Sequence, residues 1–200
     1  ANSERDNTAA YYTRQDICYS IVYNLPDAKL FSSLSILEPS IGVGNFLPSL
    51  IDKYSSVPNV EIDVVDINPS SIEILQEMLK HISIPENFKI NFIVADTLLY
   101  DFHKKYDIVI GNPPYMKLTG NKTLTAQYKS KAQNKDTNNI FAFFIERVLS
   151  LGRYVSLIVP KSLINSPEFN VTRNVMSEYA ITHFIDFGEK AFKGVKIETV

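Results

Sequence analysis

Short apolar runs alternate along this chain with stretches in which apolar residues return every three or four positions. The runs are Leu34 to Leu37, Val60 to Ile67, Ile90 to Ala95, Asp107 to Ile110, Tyr154 to Val159 and Ile181 to Phe187. Several are apolar without interruption, as strands are when helices cover both faces of their sheet. Between them, Asn68 and Pro69 open a helix carried on by Ile72, Leu75, Met78 and Leu79. A second helix is expected over Asn139 to Leu151 with Gly152 as its stop, and a third from the cap and proline pair Ser166 and Pro167. Arg14 to Tyr23 reads as a short leading helix. This alternation predicts an α/β fold with a doubly wound, mostly parallel sheet.

The run from Asp107 to Ile110 ends abruptly in "GNPPY". Prolines have no backbone donor and cannot extend a strand, so the chain is stopped there with Asn112 and Tyr115 presented at its end. Ligands of doubly wound sheets bind at the carboxyl ends of the strands, which makes the other strand ends informative. After the first comes "LEPSIGVGNF", where Glu38 is followed by Gly42 and Gly44, glycines that let backbone approach a ligand. A dinucleotide fingerprint would want a third glycine where Leu47 stands. After the second comes Asp66, placed to accept from both hydroxyls of a ribose, and after the third Asp96, placed to accept from the amino group of an adenine. Each acid alone more often reads as a helix cap; together with the glycine loop they outline an adenosine-bearing cofactor across the sheet edge.

The "NPPY" turn suggests its own chemistry. An exocyclic aromatic amine is a poor nucleophile because its lone pair is delocalised into the ring. Hydrogen bonds from that amine to the Asn112 side-chain carbonyl and to a main-chain carbonyl near Pro113 would draw its nitrogen toward tetrahedral geometry. Pro113 and Pro114 hold the carbonyl in place, and Tyr115 offers a face on which a base can stack.

Composition adds limits. The 200 residues, 45% of them hydrophobic, suit one domain covering 1–200. A single cysteine, Cys18, forms no internal disulfide, residues 1–10 lack a signal-peptide centre, and no apolar run is long enough to span a bilayer, so a cytoplasmic, non-membrane setting is expected. The net charge of -2 gives no general attraction to nucleic acid, yet Lys117 to Lys135 holds five lysines and no acid. That stretch reads either as a solvated loop or as one that contacts phosphates. The ending "GVKIETV" looks like the start of another strand, so a C-terminal remainder is expected.

In order, "EPSIGVGNF", "DIN", "VADTLL" and "NPPY" resemble the motifs of the amino-group, adenine-specific DNA methyltransferases of restriction-modification systems, in their gamma arrangement. The resemblance implies a seven-stranded-type, Rossmann-like methyltransferase fold, S-adenosylmethionine as cofactor and no metal. It implies double-stranded DNA as substrate, and a restriction endonuclease as separate partner or fused domain. It makes Asn112, Pro113, Pro114 and Tyr115 catalytic. It assigns Glu38, Pro39, Ser40, Gly42, Gly44, Asp66, Ile67, Asp96, Thr97 and Asn112 to the cofactor. The leading "YYTRQDICYSIV" puts Thr13 near the cofactor's methionine part, and "NNIFAFFIERVLSLGRYVSLIVPKSLI" puts Phe144 toward the cofactor. "FGEKAFKGVKIETV" supplies Phe192 as a second aromatic for a flipped base. The chain departs from the family at Arg14, where proline is common, and at Asp66, where glutamate is common. A target-recognition domain, which the family carries after the catalytic part, is not found within 1–200. Methylation of protein glutamine or of ribosomal RNA guanine, which also uses "NPPY", and a binding module without turnover are the alternative readings.

Overall fold

The computed structural model describes residues 13–190 and 198–200. Five strands lie parallel in the order β3-β2-β1-β4-β5: β1 (Leu34–Glu38), β2 (Val60–Asp66), β3 (Phe88–Val94), β4 (Tyr106–Gly111) and β5 (Gly152–Leu157). The helices are α1 (Gln15–Tyr23), α2 (Leu47–Tyr54), α3 (Pro69–Leu79), α4 (Lys122–Lys131), α5 (Ile140–Leu149), α6 (Ser162–Asn165) and α7 (Asn170–Ser177).

The central strands β1, β2 and β4 are mostly apolar because both of their faces are covered, while β3 and β5 at the edges are only partly buried. Ile36, Ile62, Ile108 and Ile110 pack with Cys18, Leu50, Tyr54, Ile72 and Leu75 from α1, α2 and α3. The alternate residues Leu37, Val65 and Val109 pack with Val148 and Leu151 at the end of α5. Full burial of such side chains stabilises by about 1.5 to 3 kcal/mol each. After β1 the chain moves to one side to build β2 and β3, then crosses back to place β4 on the other side of β1. The loops after β1 and β4 therefore leave in opposite senses, the switch point outside whose carboxyl ends such sheets bind ligands.

Asn68 caps α3 as expected, its side chain accepting from the Ser70 N–H with Pro69 in the first turn. Ser166 and Pro167 open a single 3₁₀ turn, Pro167–Phe169, before α7 begins. Three expectations need correction. Gly152 is not a helix stop but the first residue of β5: a Cβ there would lie 2.6 Å from Val109 Cγ2, so only glycine lets the strand start against β4. Residues 181–187 form no strand; Ile181 and Phe184 are exposed, and the backbone of Val159 pairs instead with Val200. The lysine-bearing stretch is not a loop throughout, since it contains α4. Asn121 caps that helix by accepting from the Leu124 N–H, and Leu124 and Tyr128, one turn apart, dock it among Leu98, Ile140, Phe143 and Phe144. An antiparallel bridge between Lys117 and Asn139 closes this excursion at its base.

Candidate active site

The turn after β1 is the hub of the carboxyl edge. Gly42 and Gly44 hold φ of 54° and 77°, a region that favours glycine, and at Gly44 a Cβ would also sit 2.7 Å from Leu75 Cδ1. Fixed in this way, the turn reaches each neighbouring strand end. The Gly42 N–H donates to Asp66 Oδ2 at 2.9 Å after β2, the Pro39 carbonyl accepts from Thr97 Oγ1 at 2.5 Å after β3, and the Ser40 hydroxyl donates to the Asn112 backbone carbonyl at 3.0 Å after β4.

Thr13 ties the leading segment into the same place. Its carbonyl accepts from Asn45 Nδ2 at 2.9 Å, and its hydroxyl accepts from Asn112 Nδ2 at 3.3 Å. Both ends of the Asn112 residue are thus held, its backbone by the first loop and its amide nitrogen by Thr13. Gly111, just before it, runs close to Pro39: a Cβ there would come within 3.2 Å of the proline ring.

The acids are built differently from one another. Asp66 is partly exposed and uses one oxygen on Gly42 and the other on the Asn68 N–H, while Ile67 beside it is 66% exposed. Asp96 accepts from the Leu98 N–H at 2.9 Å through Oδ1 and from the Tyr128 hydroxyl at 2.6 Å through Oδ2. Glu38 is 2% exposed, and its Oε2 meets no hydrogen-bond partner among the described residues. Burial first, and the charge of Asp66 second, push its pKa well above the ordinary carboxylate value. Cys18 lies in the same core, its thiol pushed up to about 12 by burial and then by Glu38, which leaves it an inert packing residue.

Pro113 is buried and Pro114 half-buried. The half-buried Tyr115 donates its hydroxyl to the Ile158 carbonyl at 2.7 Å and meets Phe141 edge to face at 6.1 Å. Phe144, expected near the cofactor, is buried on α5 with Leu98 and Tyr128, beside the loop that carries Asp96. Phe192 lies outside the described residues. The site residues that the sequence pointed to otherwise converge on one edge, joined through Thr13, Ser40, Gly42, Asp66, Thr97 and Asn112.

Residues 33–192 match the Eco57I restriction-modification methylase family. The chain belongs to this family. Among curated relatives it is 28% identical to the type II methyltransferase M.VspI of Vibrio sp. (strain 343), over 98% of the chain and 47% of that protein. It is 27% identical to the type II methyltransferase M.CvrRI of Paramecium bursaria Chlorella virus XZ-6E, over 89% of the chain and 43% of that protein. The chain thus spans about half the length of these relatives. A structure from Listeria monocytogenes, assigned as a class I S-adenosylmethionine-dependent methyltransferase, superimposes with a TM-score of 0.75 at 18% identity, covering 94% of this chain and 58% of that one. The fold is the one this class of methyltransferase uses.

Several residues of this Eco57I-family chain that shape the site escaped the sequence reading. Asn45 and Tyr128 are two; the signal for Tyr128 was its spacing of four from Leu124 in an otherwise polar stretch. Glu168 is a third: its carboxylate accepts from Asn139 Nδ2 at 3.0 Å and from the Thr137 hydroxyl at 3.3 Å, and pairs with Lys117 at 3.5 Å, clamping the base of the excursion. No described helix is long and apolar enough to cross a membrane. Among the described residues no group of three or more His, Cys, Asp and Glu side chains could hold a metal ion.

Proposed function

We propose that this domain moves a methyl group from S-adenosylmethionine to the exocyclic 6-amino group of an adenine turned out of double-stranded DNA. The activity would be the modification half of a restriction-modification system, with an endonuclease as partner or fused domain. The observation that carries the reading is that the Asn112 to Tyr115 turn is bonded, through Ser40 and Thr13, to a glycine turn that also reaches the ends of β2 and β3.

The residues present suit a cationic cofactor. A buried carboxyl at Glu38 with an oxygen lacking a partner among the described residues is relieved by a nearby positive charge, and S-adenosylmethionine carries one on sulfur and one on its amino group. Glu38, Pro39, Ser40, Gly42 and Gly44, with Thr13, would hold its methionine part. Asp66 and the exposed Ile67 would hold the ribose, and Asp96, Thr97 and Phe144 the adenine. When bound, the cofactor supplies an electrophilic methyl group.

The chain's own part is to make the amine nucleophilic. The Asn112 side-chain carbonyl, with two lone pairs, and a backbone carbonyl at Pro113 would accept the amine's two N–H groups and stabilise the positive charge that develops on nitrogen as its lone pair bonds the methyl carbon and the carbon–sulfur bond breaks; one N–H proton then leaves to solvent. Pro113 and Pro114 fix that carbonyl before the base arrives. Tyr115 stacks on the base, with Phe192 as its proposed second wall, and its bond to Ile158 sets the plane of the ring.

Incubating the full-length protein with methyl-labelled cofactor and DNA should yield N6-methyladenine in the digested product. Label in protein glutamine or in guanine would overturn the reading. Asp66→Asn should weaken cofactor affinity, since a charge-assisted hydrogen bond is worth about 1.5 to 3 kcal/mol. Calorimetry giving an unchanged Kd would remove Asp66 from the site.

The stacking role has its own readout. Extrusion of a base costs a few kcal/mol and stacking returns about 1 to 3 kcal/mol per base, so Tyr115→Ala should weaken capture markedly. Tyr115→Phe should keep the stack but lose the Ile158 anchor, and fall between. A fluorescent adenine analogue at the target position would report it; equal signals from all three proteins would make Tyr115 a packing residue.

A further inference from the structure

Helix α4 is pinned to the loop after β3 at two points. The Tyr128 hydroxyl donates to Asp96 Oδ2 at 2.6 Å, and Lys131 Nζ donates to the Leu99 carbonyl at 3.2 Å. Tyr128 is 5% exposed, and its ring packs with Leu98 and Phe144 while its hydroxyl crosses to the acid. A carboxylate has about four acceptor positions. Asp96 spends one on Tyr128 and one on the Leu98 N–H, so both oxygens are oriented while acceptor capacity is left over.

We infer that Tyr128 is a positioning residue for cofactor recognition: by donating to Asp96 Oδ2 it holds the carboxylate in the orientation that accepts the 6-amino group of the cofactor's adenine. This rests on the reading of Asp96 as the adenine acid. Tyr128 touches the cofactor only through Asp96. Without the hydroxyl, the carboxylate is held on Oδ1 alone and can turn about its bond, and the directional preference for an amino group over a plain ring hydrogen falls. Burial, with Asp96 as the second cause, pushes the Tyr128 pKa up, so the hydroxyl remains a donor through the neutral range. The placement also gives α4 a double position: Lys122 stands exposed on the same helix whose buried side reads the adenine acid.

The test compares two probes on the full-length protein by calorimetry: S-adenosylhomocysteine, and its analogue with hydrogen in place of the 6-amino group. Wild type should prefer the first by about tenfold or more, the value of one charge-assisted hydrogen bond. Tyr128→Phe keeps the ring and should cut that preference to about a third or less, with the affinity for the analogue nearly unchanged. Asp96→Ala, which removes the acceptor, should abolish the preference. If Asp96→Ala abolishes it and Tyr128→Phe retains the wild-type ratio, the inference fails. Equal weakening of both probes by Tyr128→Phe would make the tyrosine a packing residue and also overturn it. A wild-type ratio in Asp96→Ala would defeat the reading of Asp96 itself, and the inference with it.

Discussion

Asn112→Ala should lower turnover by about a hundredfold or more while leaving S-adenosylmethionine affinity almost intact. The expected size follows from when the interaction is made. An amide carbonyl that accepts from the substrate amine gains most as charge builds on nitrogen, so its loss falls on the chemical step. The structure adds a reason for cofactor binding to survive. The contact between the Asn112 turn and the first loop uses the backbone carbonyl of Asn112, which alanine retains, and the glycine turn is held independently through Asp66 and Thr97. Single-turnover methylation beside calorimetry on the full-length protein separates the two quantities. Lost cofactor affinity with normal turnover per bound enzyme would make Asn112 a structural residue.

A comparably large effect, of opposite kind, is expected at Glu38. Its pKa is raised in the folded chain, so its contribution to stability is fully present below the unfolded carboxyl's ordinary value of 4.5 and is lost as pH rises through the folded value. Above that window the cofactor-free protein carries a buried charge, which costs more than the roughly 1 to 3 kcal/mol of a neutral polar group left unsatisfied. Glu38→Gln keeps the shape and removes the charge. Urea denaturation from about pH 5 to about pH 8 should show the variant gaining on wild type as pH rises, while its affinity for the cationic cofactor falls. Calorimetry in buffers of different ionisation enthalpy should show wild type releasing a proton on binding the cofactor and the variant releasing none. A wild type and variant with parallel pH profiles would mean that Glu38 is already compensated.

These two residues were legible in the sequence because each sits where a strong local rule is broken. Prolines forbid β4 from continuing past Gly111, and a carboxylate closes the apolar run of β1. Glycines at 42 and 44 and acids at successive strand ends were readable for the same reason. What was missed depends on partners distant in sequence. Helix α4 packs through just two large apolar side chains, Leu124 and Tyr128, too narrow a stripe to register as periodicity, and the partner of Tyr128, Asp96, lies 32 positions away. Gly152 resembled a helix stop because Val109, whose methyl excludes a side chain there, is far upstream. Residues 181–187 have a strand's composition, but composition does not reveal that Val159 pairs elsewhere.

The central position of β1 also governs the order in which the site can come into being. Strands β1, β2 and β3 pair with near neighbours in sequence, so this half of the sheet can form as soon as they leave the ribosome. The pairing of β1 with β4, by contrast, joins residues such as Ser35 and Asp107, 72 positions apart, and must pay for closing that long loop. Asn112 meets Ser40 and Thr13 only after this closure. A nascent chain would thus hold its glycine turn and Asp66 early but acquire the Asn112 turn late, making the β1 and β4 contact the step at which the carboxyl edge is completed.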